Sequence, residues 1–285
     1  MFSPKHTARF SGLYAFPNFD ITKTVCYNPF SERNQPMLID IHAHIWGTFP
    51  NADKAKILKA MDRYHLTRVY VSALQKALSD EEGIAYLNDL VSDFMKEEPE
   101  RIGGAVYLNP KNKNVIDVLK RAVQEQGFEM IKLLCCTLAD DPAVDPIMEY
   151  AEENGIPVLL HALHKAVGQG KNESTGIHIA NIARRHPKTK IIMAHLGGNC
   201  YNGLPAIREC KNVWCDNSGG SFYRGDDMDY AVELLGAERI LFGTDMPVGC
   251  GANIGQIQEA SLTEEQRELI FWKNAKRVLD RSFRL

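Results

Sequence analysis

No stretch of this 285-residue chain approaches the roughly 18 apolar residues of a membrane-spanning helix. A dense run of Lys and Arg is also missing. With 33 basic and 36 acidic side chains the net charge is −3, which argues against nucleic acid as a main partner. The opening residues MFSPKHTARF lack the apolar core of a secretory signal, so a cytoplasmic protein is expected. The seven cysteines form no CxxC pair, and an odd number cannot all pair internally. Reduced thiols are expected, including the adjacent Cys135 and Cys136. Low-complexity tracts and internal repeats are absent. A small-molecule substrate remains as the expected partner.

What is present is an alternation. Short apolar runs occupy 37–42, 67–73, 102–108, 130–134, 157–161, 190–194, 212–215 and 239–243. Their Val, Ile and Leu content suits strands buried on both faces. Amphipathic stretches lie between them at 54–64, 80–96, 115–126, 145–154, 175–185, 204–210 and 229–235, with a long one at 263–279. Eight strands alternating with eight helices predict parallel pairing and a (β/α)8 TIM barrel over 37–285. A doubly wound open sheet is the runner-up, but it would carry a Gly-rich loop after its first strand. Residues 1–36, with four prolines, fall outside the alternation. They are expected to form an N-terminal arm packed on the barrel or on a partner subunit, which fits a homodimer. Met37 opens the first strand directly and is a candidate native start.

Functional residues of parallel barrels gather at the C-terminal ends of strands. The first run leads into His42-Ala43-His44, whose two imidazoles share a face and make half of a zinc-type site. Alone this means little, since nine histidines give an HxH pair by chance roughly 0.3 times in such a chain. The fifth run ends in His161, the sixth leads into His195 and the eighth into Asp245. Four matching strand ends converge on one cavity.

The motifs IDIHAHIW, GIPVLLHA, AHLGG and LFGTDMP resemble those of the amidohydrolase superfamily. They are most similar to its amidohydrolase-related branch, which holds aminocarboxymuconate-semialdehyde decarboxylase-like members as well as lactone and ester hydrolases. The resemblance implies one divalent metal, zinc by expectation, held by His42, His44, His161 and Asp245. It implies that His195 and Asp245 handle protons. It also raises a second metal, bridged by a carboxylated Lys132. A buried Lys132–Asp40 ion pair is the structural alternative for that lysine. Trp46, Lys132, Asn217 and Arg224 are candidate substrate contacts. His6 and His65 read as surface or helix positions, and His178 and His186 as such positions without partners.

Hydrolysis of a lactone, ester or amide carbonyl is the first expectation. Non-oxidative decarboxylation of a small unsaturated or aromatic acid is the alternative. A barrel that binds metal without turnover comes third.

Overall fold

The computed structural model describes residues 37–75, 79–219, 224–247 and 249–280. The expected arm lies outside these residues. Eight strands follow one another around a single sheet: β1 (Ile39–Trp46), β2 (Arg68–Leu74), β3 (Ile102–Leu108), β4 (Met130–Leu133), β5 (Val158–Leu160), β6 (Ile191–Met193), β7 (Val213–Asp216) and β8 (Ile240–Leu241). Every pair is parallel. The segment after β8 then meets β1. Ile41 N–H donates to Phe242 O at 3.1 Å, Asp245 N–H to His42 O at 2.7 Å, and His44 N–H to Met246 O at 2.8 Å. The sheet is therefore a (β/α)8 barrel, as the alternation predicts.

The helices that cover it are amphipathic and capped. In α2 (Glu81–Glu97), Ile84, Leu87, Val91 and Phe94 recur at helical spacing and are all buried. Asp80 caps it by accepting from Gly83 N–H at 2.9 Å. α1 (Pro50–Tyr64), α3 (Val115–Gln124), α4 (Asp145–Asn154), α5 (Gly176–Arg185), α6 (Cys200–Ile207) and α7 (Gly225–Leu235) fall near the predicted stretches. His178 completes the capping box of α5 with Thr175, and His186 bonds Asp145 at 2.9 Å. Both histidines have structural partners, contrary to expectation.

Two differences matter. β1 runs on to Trp46, so His42 and His44 sit inside a strand rather than at its tip. An unpredicted helix, α8 (Cys250–Glu259), precedes the expected last one. That last stretch divides into α9 (Glu264–Glu268), a π-turn and α10 (Asn274–Leu279).

Met37, Ile39, Ile41, Met130, Leu159, Ile192 and Leu241 form part of one buried cluster with Ala275 and Val278 of α10. Lys190, just before β6, donates to Val278 O at 3.0 Å. Among the described residues, the chain's own last helix covers the N-terminal end of the barrel. No described helix is long and apolar enough to cross a membrane.

Candidate metal centre

β1 carries His42 and His44 to the mouth on one face. Their Nε2 atoms lie 3.0 Å apart. Asp245, in the segment after β8, places Oδ1 3.0 Å from His44 Nε2 and 3.9 Å from His42 Nε2. The other ring nitrogens are occupied. His42 Nδ1 faces Asp216 Oδ2 at 2.9 Å, and His44 Nδ1 faces Ser72 Oγ at 2.9 Å. A carboxylate at Nδ1 holds the proton there and leaves the Nε2 lone pair of His42 pointing inward.

Two inward nitrogens and a carboxylate oxygen this close repel one another unless positive charge lies between them. The structure supplies such a charge in Lys132. It is fully buried on β4, with Nζ 2.7 Å from His42 Nε2. Burial pulls its amine down to about 8, against the attraction of Asp245 and Asp216. The alternative pairing with Asp40 does not form. Asp40 instead accepts from the Thr244 hydroxyl and from the His42 and Thr244 N–H groups, which clasps β1 to the end of β8. Burial lifts its carboxyl to about 7, against those hydrogen bonds.

Electrostatics agree with a cation at this place. Burial, followed by the charge of Lys132, drops His42 to about 3, so it is a neutral imidazole. Asp245 feels burial pushing its pKa up. The hydrogen bond with His44 leads the contacts that outweigh that and hold it ionised, well below the carboxylate range. Neutral imidazole and carboxylate donors in an open arrangement suit a divalent metal.

His195 follows β6 and stacks on His42, with ring centroids 5.1 Å apart. Its Nδ1 lies 3.1 Å from Ser218 O, which fixes a proton on Nδ1 and leaves Nε2 as the basic nitrogen. That Nε2 meets His161 Nδ1 at 3.2 Å. His161 thus adjoins His195, and its Nε2 faces Glu173 Oε1 at 3.3 Å. Three of the four expected ligands are gathered together and the fourth lies beside them.

The backbone is strained here. His195, Leu196 and Asp245 have φ of 63, 48 and 58°. Left-handed non-glycine residues cost about 1–3 kcal/mol each and persist where the surroundings impose them. Gly219 stands over the site because any Cβ there would come within 2.4 Å of His195 Nδ1.

A cavity of about 490 Å3 opens beside His195, with Ser218, Lys165, Asn199, Tyr201 and Arg224 among its walls. Arg224 lines it while paired with Asp227 at 2.7 Å. Asn217 also borders it, but its amide is committed to Asn253 O, Gln256 Oε1 and Gly243 N–H. Trp46 stands at the mouth, half exposed, 5.8 Å from the His44 ring.

Sequence reasoning overlooked Asp216. This buried carboxylate grips His42 and also accepts from the backbone N–H groups of His195, at 3.1 Å, and Ser218, at 2.9 Å. The signal was available, because Asp216 directly follows the seventh apolar run. Ser72, Ser218 and Glu173 were also missed, and nothing in their local sequence marks them.

A (β/α)8 barrel with imidazole and carboxylate donors at its strand ends defines a class of enzyme. Residues 39–281 match the family model described as Amidohydrolase, and the chain belongs to the amidohydrolase superfamily of enzymes. It is 24% identical, over 68% of its length, to 2-amino-3-carboxymuconate-6-semialdehyde decarboxylase of Dictyostelium discoideum. The match spans 65% of that relative. A 2,6-dihydroxybenzoate decarboxylase from Rhizobium superposes with a TM-score of 0.69 at 19% identity, covering 86% of this chain and 99% of that one. A dihydroxybenzoic acid decarboxylase from Polaromonas, solved with manganese and 2-nitroresorcinol, gives 0.68 at 19%, covering 87% and 98%. At these identities the likeness to the solved structures is one of fold.

Proposed function

We propose that the chain is a metal-dependent, non-oxidative decarboxylase of a small unsaturated or aromatic carboxylic acid. The observation that carries this is the position of His195. It is a proton carrier fixed against the His42–His44–Asp245 group and open to a cavity of about 490 Å3. The named relatives above, each a decarboxylase, support the choice over hydrolysis, which was expected first from the sequence.

His42, His44 and Asp245 would hold the metal. When bound, the metal supplies a Lewis acid that polarises substrate oxygens. Zinc suits this donor set, and the Polaromonas relative carries manganese. His195, protonated at Nε2, delivers that proton to the carbon bearing the carboxylate. The bond to the carboxylate then breaks. Its electron pair restores the unsaturated system, and CO2 leaves. Ser218 O keeps the other His195 nitrogen protonated throughout. Asp216 holds His42 and the His195 backbone in one frame, and so acts as a positioning residue.

The test is CO2 release from a panel of hydroxybenzoates and muconate-like acids by metal-loaded protein. At least one acid is expected to lose CO2. Release from none, with hydrolysis of a lactone or ester by the same sample, returns the first expectation.

A further inference from the structure

The cavity beside His195 is walled by amides that all turn the same way. Gly243 N–H, a backbone donor, points at Asn217 Oδ1 at 3.2 Å. That contact fixes the Asn217 amide, whose Nδ2 then donates to Asn253 O and to Gln256 Oε1, each at 3.0 Å. Gln256 must meet this donor with its oxygen, so its Nε2 is turned away from Asn217. Gln256 is only 3% exposed, and among the described residues nothing accepts from Nε2. The nitrogen is not sealed inside the core, and Gln256 lines the cavity. A buried N–H without an acceptor is costly, and a ligand oxygen would relieve it. Asn199 repeats the pattern. Its Oδ1 caps α6 by accepting from Tyr201 N–H at 3.1 Å, which leaves Nδ2 as a donor on the same cavity. Lys165 adds an ammonium to that wall. Asp227, the acidic side chain among the described walls, is already engaged by Arg224 at 2.7 Å.

We propose that Gln256 Nε2 anchors a second carboxylate of the substrate, one that the reaction leaves in place. A wall of donors suits a group that only accepts, and an ionised carboxylate is such a group. Asn199 Nδ2 and the Lys165 ammonium favour the same charge. The substrate class is then a dicarboxylic acid. One carboxylate leaves as CO2 beside His195, and the other holds the molecule in the cavity. This choice of substrate rests on the decarboxylase reading, whereas the anchoring of a carboxylate by Gln256 does not. Gln256 sets specificity and takes no part in proton transfer.

Calorimetric titration of metal-loaded full-length protein with benzoate, isophthalate and terephthalate provides the test, because it reads binding without turnover. At least one of the two dicarboxylates is expected to bind the wild type about 10–100-fold more tightly than benzoate, the scale of a hydrogen bond to a charged group. Gln256→Glu keeps an oxygen for Asn217 Nδ2 and puts a carboxylate where the donor stood. The dicarboxylate advantage is expected to vanish in it. Asn199→Asp keeps the cap of α6 and should shrink the advantage in the same direction. Equal affinity of the wild type for all three acids overturns the proposal, whether or not either variant folds. So does an advantage that survives Gln256→Glu. Failure of the decarboxylase reading is separate: the wild type would then still prefer a dicarboxylate while releasing CO2 from no acid.

Discussion

The residue that organises the centre is Asp216, which binds no substrate in this account. One oxygen fixes the tautomer of His42. The other accepts from His195 and Ser218 N–H and from the Ser218 hydroxyl. Its carboxyl stays ionised despite burial, because His42 and His195 face it. Removing that charge frees His42 to turn. Asp216→Asn is expected to weaken metal affinity about 10–100-fold, the usual scale for the partner of a ligating histidine. Titration of metal-free protein with manganese measures it. An unchanged affinity would reduce Asp216 to a packing residue. His195→Ala should act differently. Metal content is expected to hold while kcat falls about 10²–10⁴-fold, as for loss of a general acid. Parallel loss of metal would place His195 among the ligands.

At the scale of elements, the strand ends bring the site together and the links between elements hold it. Arg239 shows this. Its guanidinium donates to the carbonyls of Val213, Arg208, Ile207 and Cys210 at 2.8–2.9 Å, joining the end of α6 and the start of β7 to the approach to β8. Arg239→Met leaves those carbonyls without a donor. It is expected to cost about 3 kcal/mol, read in urea unfolding. A loss under about 0.5 kcal/mol would mean that water replaces the guanidinium.

Much of this level was legible in the sequence. Apolar runs located all eight strands, because strands buried on both faces need no alternation to stand out. Strand parity put His42 and His44 on one side. The strand-end rule also found His161, His195 and Asp245. Helix α8 was missed because Gly251 and Gly255 lower its helix propensity, each by about 1 kcal/mol relative to Ala. Glu173 was missed because it reaches His161 from a loop twelve residues on, where only the folded chain brings them together. The split between His161 and the other three expected ligands depends on side-chain direction at His195, which no spacing encodes.

At the scale of the whole barrel, the described residues form a ring of eight strands closed through β1 and the segment after β8, and the centre sits on that seam. Asp40 and Thr244 clasp the seam beneath, while His42, His44 and Asp245 face one another across it. A metal bound there ties the first strand to the last. Metal at a hundred times its dissociation constant is therefore expected to add about 2.7 kcal/mol of stability. For a chain of this size that is roughly 2–4 °C in Tm per kcal/mol, visible on chelation and reversed on reloading. An unchanged Tm would mean that the folded chain takes up no metal.

In the proposed function, CO2 release requires the metal held by His42, His44 and Asp245. The direct measurement is CO2 release while metal-free protein is titrated with manganese or zinc, in the wild type and in His44→Ala. The account predicts no release without metal, recovery on titration in the wild type, and none in His44→Ala. Full release by metal-free protein, or by metal-free His44→Ala, would contradict it.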